Sequence, residues 1–244
     1  MICKLMNYYS ITFYKYFDFK NIEDKRFPLR DMMLDYNIKG KIIISAEGVN
    51  GAICGLKDDV KKFMNKIGEI DSNLEELDCR ITLSDIQTFK RTLVKIREEL
   101  VPLGVSGITP HSNGGGKPLD PKELMKWYKS GEDFVIIDAR NDYEWEVGKF
   151  KGADNPNIEK FRDFKKYVDE LEDLKDKKVV TYCTGGIRCE KASAYMKSKG
   201  FNEIYKLNGG IIDFMKLEGS EKYWDGKLFV FDKRWEIDSD KTRI

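Results

Sequence analysis

The chain has 244 residues, enough for two domains of about 100 residues each. Its 43 basic residues against 42 acidic ones give a net charge of +1, which excludes a strongly basic nucleic-acid coat and a polyanionic tail. The longest apolar runs are four residues, far short of the roughly 18–20 that span a bilayer. Asn7 and Ser10 interrupt any leader-peptide core, so a cytoplasmic protein with no membrane partner is expected.

Residues 8–17 are aromatic and β-branched and read as a strand. Residues 21–36 place Ile22, Phe27, Leu29, Met32, Met33 and Tyr36 near helical spacing, with Asn21 the expected N-cap. Short strands at 41–46 and 51–55 flank Glu47-Gly48-Val49-Asn50, a connection suited to positive φ. A helix at 60–67 and a strand at 79–85 complete the order β-α-β-β-α-β of a ferredoxin-like α+β domain, residues 1–100. Near its end, Lys90, Arg91, Lys95 and Arg97 give a strand one basic face, which reads either as a solvated edge or as a surface that meets phosphates.

Residues 101–120 are rich in proline and glycine and are expected to form an interdomain linker. The Gly114-Gly115-Gly116-Lys117 run inside it lacks phosphate-loop spacing and is followed by Pro118. From Asp120 the pattern becomes α/β, with Asp120 capping a helix that begins at Pro121. Apolar strands at 134–138 and 179–183 suit a central parallel sheet, with an amphipathic helix at 161–174 between them. A helix at 189–199, a stop at Gly200 and a strand at 203–207 follow. This α/β domain is expected over 121–218, with 219–244 a C-terminal segment. Asp138 and Cys183 stand at carboxyl ends of strands, where open α/β sheets bind ligands.

The five cysteines are odd in number, dispersed and without a Cys-x-x-Cys pair, which argues against disulfides and a zinc knuckle. The single histidine, His111, lies in a polar loop, so a histidine-rich metal centre is excluded and no metal site is expected. There is no nucleotide fingerprint, and no cofactor is evident. The chemistry concentrates in Cys183-Thr184-Gly185-Gly186-Ile187-Arg188. Backbone N–H groups of such a turn converge on the sulfur, a helix N-terminus adds positive potential, and Arg188 adds a fixed charge. All three favour thiolate, the reactive form. Four residues between Cys183 and Arg188 make a smaller cradle than the five of cysteine phosphatases, one suited to an extra sulfur or a compact adduct.

The segments Asp138-Ala139-Arg140, residues 141–153 and the cysteine loop look like a rhodanese domain, with Lys149 where histidine is common. That likeness implies a framework role for Asp138 and Arg140. The longer string 183–192, with 46–51, 94–104 and 224–234, resembles the bacterial tRNA uridine hydroxylase family. The resemblance implies a ferredoxin-like domain joined to a rhodanese domain. It implies oxygen-dependent hydroxylation of the wobble uridine of tRNA to 5-hydroxyuridine, molecular oxygen being the co-substrate. The implied partner is the tRNA anticodon loop, with no DNA, and Cys183 the catalytic residue. Cys183 thiolate could add to uracil C6, or act as an oxidised or persulfide species. Cys189 either resolves an intermediate or packs behind the loop, and Tyr182 either stacks on the base or packs in the core. The alternatives are a sulfurtransferase that carries a Cys183 persulfide and a redox switch using Cys183 and Cys189.

Overall fold

The computed structural model describes residues 7–110 and 114–242, so His111 and Asn113 lie outside the described residues. Two compact units emerge. The first comprises Met1–Leu100 with Phe231–Trp235 and Lys241–Ile244, the second Val101–Val230 with Glu236–Asp240.

In the first unit, β1 (Tyr8–Tyr16), α1 (Ile22–Asp35), β2 (Lys39–Ser45), β3 (Gly48–Leu56), α2 (Lys57–Lys66), β4 (Cys79–Ser84) and β5 (Thr92–Ile96) follow in order. The sheet order is β4-β1-β3-β2-β5. Its first four strands are antiparallel neighbours in the ferredoxin-like order, and β5 extends the sheet parallel to β2. Side-chain alternation sends Ile11, Phe13, Ile42, Ile44 and Ile53 to one face, where α1 and α2 cover them with Leu29, Met33, Val60 and Phe63.

Two local expectations are corrected here. Asn21 precedes α1 but lies in left-handed backbone (φ 51°) and makes no capping side-chain bond. The connection between β2 and β3 is only Ala46-Glu47, because Ser45 already pairs with Gly48. Val49 and Asn50 are therefore strand residues. Gly48 is required there, since a Cβ would come within 2.1 Å of the Lys15 carbonyl oxygen. Glu47 then accepts the Leu100 N–H at 2.5 Å, and the Asn50 side-chain amide donates to the Leu100 carbonyl at 3.5 Å. The Glu-Gly-Val-Asn string thus pins the end of this unit.

The expected C-terminal segment does not stay together. Within the first unit, Arg234 pairs with Asp232 and donates to the Leu83 carbonyl and the Thr82 hydroxyl, both at 3.0 Å. Ser10 donates to Asp232 at 3.0 Å.

In the second unit, β6 (Lys117–Leu119), α3 (Pro121–Ser130), β7 (Val135–Asp138), α4 (Asp142–Val147), β8 (Gly148–Phe150), β9 (Ala153–Asp154), α5 (Phe164–Asp169), β10 (Lys178–Tyr182), α6 (Ile187–Ser198), β11 (Glu203–Leu207) and α7 (Gly210–Phe214) follow. Five parallel strands run in the order β6-β11-β10-β7-β9, with an apolar core on each face. Asp120 caps α3 as expected, accepting the Lys122 N–H at 2.7 Å. The helix expected at 161–174 is shorter. Leu171 leaves helical backbone angles (φ −96°, ψ 39°), which lets both Leu171 and Leu174 face the core.

Residues 101–120 are not a free linker. Val101, Leu103 and Ile108 are buried in the second unit's core, Gly116 N–H donates to the Ser193 hydroxyl at 2.8 Å, and Lys117–Leu119 is an edge strand. Proline and glycine marked irregular backbone here, while the apolar residues between them decided where it lies. No helix among the described residues is long and apolar enough to cross a membrane.

Leu103 is fully buried. Leu103→Ala is expected to lower stability by about 2–5 kcal/mol in urea unfolding, as for other core leucines. A change within about 0.5 kcal/mol, the range of surface substitutions, would return the segment to a linker.

Candidate active site

Strand β10 ends at Tyr182, so Cys183 is the first residue beyond the sheet rather than its last strand residue. Gly186, in left-handed backbone at φ 98°, turns the chain into α6 and donates its N–H to the Cys183 sulfur at 3.1 Å. The amides of Arg188 and Cys189 also act on that sulfur, as does the Cys189 thiol, which donates a hydrogen bond to it. Burial alone would push the Cys183 thiol up. The Cys189 hydrogen bond, the Arg188 charge and the backbone donors outweigh it and bring the pKa down to about 6. Cys189 moves the other way, well above a free thiol, because it is buried and faces a thiolate. Cys189 is fully buried and packs in the core against the loop.

The loop is held from two sides. Arg188 makes a bidentate pair with Glu144, Nη1 to Oε2 at 2.6 Å and Nη2 to Oε1 at 2.7 Å, and Thr184 donates to Oε1 at 3.2 Å. Glu144 is fully buried. Burial pushes its carboxyl up, but the charge and hydrogen bonds of Arg188 hold it below the usual carboxylate range. From the other side, Ile211 N–H donates to the Cys183 carbonyl at 3.0 Å and Ile212 N–H to the Thr184 carbonyl at 3.2 Å. Only glycine fits at 210, since a Cβ there would lie 2.3 Å from the Cys183 carbonyl oxygen. The result is a thiolate in a fixed cradle of N–H donors, whose rim is half-buried Gly185 and Ile187.

Asp138 and Arg140 form a framework one step away. Arg140 Nη2 donates to Asp138 Oδ2 and to the Gly148 carbonyl, both at 2.6 Å, and both side chains are buried. Its guanidinium lies 5.5 Å from the ring centres of Tyr182 and Trp224. Tyr182 is itself fully buried, edge-on to Phe150 at 4.8 Å, so it packs in the core and offers no face to a base. Lys149 lies over the Trp145 ring at 5.1 Å.

Residues 8–100 match a family model described as the UPF0176 acylphosphatase-like domain, and residues 120–217 match the rhodanese-like domain. The tRNA uridine(34) hydroxylases of Legionella pneumophila strains Paris and Corby are each 40% identical over 237 residues, covering 96% of this chain and 91% of theirs. The chain belongs to the tRNA uridine(34) hydroxylase family. Among solved structures, the rhodanese-like domain of an Anabaena protein is 24% identical, covering 45% of this chain and 78% of that one, with a TM-score of 0.38.

Against this family frame, the structure assembles most of the expected loop in one place: Cys183, Thr184, Gly186, Arg188 and Cys189. Glu144 lies in the 141–153 segment that carries the rhodanese likeness but has no role of its own on sequence alone; Gly210 and the amides of Ile211 and Ile212, which hold the loop carbonyls, are not singled out by motif reading. A glutamate three residues after Asn141 and a Gly-Gly pair after β11 were the available signals. The basic quartet is split by its strand. Lys90 and Arg91 precede β5 and Arg97 follows it, so Arg91 and Arg97 stand about 20 Å apart at the rise of an extended chain.

With its pKa brought down to about 6, Cys183 favours thiolate at neutral pH and loses that form as pH falls through 6. Its alkylation by iodoacetamide, read by peptide mass spectrometry, is expected to fall to half its plateau rate near pH 6. Arg188→Met is expected to move that midpoint upward, because the charge favouring thiolate is gone. An unchanged midpoint would remove Arg188 from the activation of the sulfur.

Proposed function

We infer that this protein hydroxylates C5 of the wobble uridine, position 34, in the tRNA anticodon loop, with Cys183 as the reacting residue and molecular oxygen as co-substrate, one oxygen atom entering the base and the other leaving as water with two electrons and two protons from an external reductant. The observation that carries the reading is the 40% identity to tRNA uridine(34) hydroxylases over 96% of the chain. The site supports it with a thiolate at neutral pH, held by fixed donors. An unstacked anticodon base is reachable without opening a duplex, which suits a protein with a small, rigid site. A tRNA substrate also fits a cytoplasmic enzyme.

The residues divide the work. Cys183 supplies the nucleophilic sulfur, and the Gly186, Arg188 and Cys189 amides hold whatever negative charge resides on it. Glu144 fixes Arg188, and Asp138 with Arg140 fixes the strand end from which the loop springs. Cys183 is only 1% exposed, so a small reagent reaches it more readily than a pyrimidine ring. Contact with the base therefore requires displacement of the rim at Gly185 and Ile187.

The test is nucleoside mass spectrometry on tRNA bearing uridine at position 34, incubated with purified protein and a small-thiol reductant in air and under argon. A 5-hydroxyuridine product is expected in air, lost under argon and lost with Cys183→Ala. Thiosulfate:cyanide sulfur transfer by folded protein that forms no 5-hydroxyuridine would overturn the reading in favour of a sulfurtransferase.

A further inference from the structure

α1 and α2 cover one face of the ferredoxin-like sheet; on the other, Asp232 and Arg234 cover β1 and β4 at Ser10 and Thr82, and the β2–β5 edge is left open. On that second face, alternation places Lys41 of β2 together with Lys95 of β5 and Arg97 just beyond it. The register makes them neighbours. Lys41 pairs with Leu93 and Ile43 pairs with Lys95, so Lys41 and Lys95 stand diagonally across the parallel pair, about 7–8 Å apart. The ladder continues past the strand, since Arg97 N–H donates to the Ile44 carbonyl at 3.1 Å and adds its cation to the same edge.

Like charges side by side on a sheet are unfavourable unless an opposite charge meets them. Among the described residues, none of these three side chains forms an ion pair. The Arg97 guanidinium donates, among the described residues, only to its neighbouring Ile96 carbonyl, at 2.9 Å. Lys41 registers the crowding. Partial burial, and then the charges of Lys95 and Arg97, hold its ammonium below the usual lysine range. Lys41 and Arg97 are exposed and Lys95 is half-buried, so the cluster is open to a ligand.

The same face continues away from the cations. Lys95 is in line with Ile43, Asn50 and Tyr14 across four strands, and Tyr14 meets Tyr16 edge-on at 6.2 Å. A cationic edge leading onto half-buried aromatic rings is the arrangement by which proteins hold single-stranded RNA, phosphates on the charges and bases toward the rings.

We propose that Lys41, Lys95 and Arg97 on the open β2–β5 edge of the ferredoxin-like sheet form a phosphate-binding site for the backbone of the tRNA substrate. This rests on tRNA being the substrate and adds where its backbone is held. Lys41 is the residue that sequence patterning did not suggest, being 54 positions from Lys95 and brought beside it only by strand pairing.

The experiment measures binding of fluorescently labelled tRNA by anisotropy across a salt series, for wild type, for Lys41→Gln/Lys95→Gln/Arg97→Gln and for the control Lys61→Gln/Lys62→Gln, two exposed cations on α2 at the opposite face of the sheet. Three lost phosphate contacts are expected to reduce the slope of log affinity against log salt by about 2 to 3, and to weaken binding at least about 10-fold near physiological salt. The control is expected to keep the wild-type slope. Thermal unfolding of the triple variant is expected at or above the wild-type temperature, because its changes relieve repulsion, so weak binding would not be mistaken for misfolding. In wild-type protein, amine acetylation of Lys41 and Lys95 is expected to be suppressed by tRNA. Unchanged affinity and slope in the triple variant, with no protection of Lys41, would overturn the site while 5-hydroxyuridine formation still upheld the hydroxylase reading. Failure of wild type both to bind tRNA and to form 5-hydroxyuridine would overturn the two together.

Discussion

Arg188 has to approach a buried sulfur closely enough to stabilise a thiolate, yet a guanidinium withdrawn from water without a partner is among the costlier groups a fold can contain. Glu144 resolves that conflict. Its carboxylate takes both terminal nitrogens of Arg188 in a bidentate pair and also accepts the Thr184 hydroxyl, so one buried acid fixes two residues of the active loop. Net charge beside the sulfur is thereby reduced, and the Cys183 pKa still falls to about 6, because the Cys189 hydrogen bond and the backbone amides act with Arg188. The thiolate is a product of many fixed donors, with the ion pair keeping them in place.

The rest of the second unit serves that geometry. Parallel β10 delivers Cys183 at its carboxyl end, beside Asp138 at the end of β7. Asp138 and Arg140 tie the β7 end to Gly148, on the same stretch of chain that carries Glu144 on α4. Gly210 allows α7 to press against the loop carbonyls, where a side chain would collide with them. A site built this way is held from both sides, and the near-complete burial of Cys183 follows from the same packing.

In the first unit, the division of labour is between the two faces of one sheet. Period-2 alternation makes one face apolar and hands it to α1 and α2. It also collects cations on the other face, where charge repulsion is tolerated because water and counterions reach it. The Glu47 and Asn50 contacts to Leu100 fix the strand end from which Lys95 and Arg97 project. A motif that reads as a turn therefore acts as a clamp.

The sequence by itself determined the elements whose cause is local: the alternation of β1, the Asp120–Pro121 helix start, the apolar runs of β7 and β10, and a cysteine followed by two glycines and an arginine. It also determined the family, through motifs spread along the chain. Tertiary structure alone decided what depends on distance in sequence. Residues 101–120 carry linker composition, yet the second unit's core claims Leu103, because burial of apolar area outweighs local irregularity. Residues 219–244 divide between the two units, since Arg234 finds its acceptors on β4. Glu144 meets Arg188 across 44 positions and Lys41 meets Lys95 across a strand pair, and no local pattern encodes either. Charges act through space, so their partners are set by the fold, while periodicity and turns act through neighbouring residues and are legible in the chain.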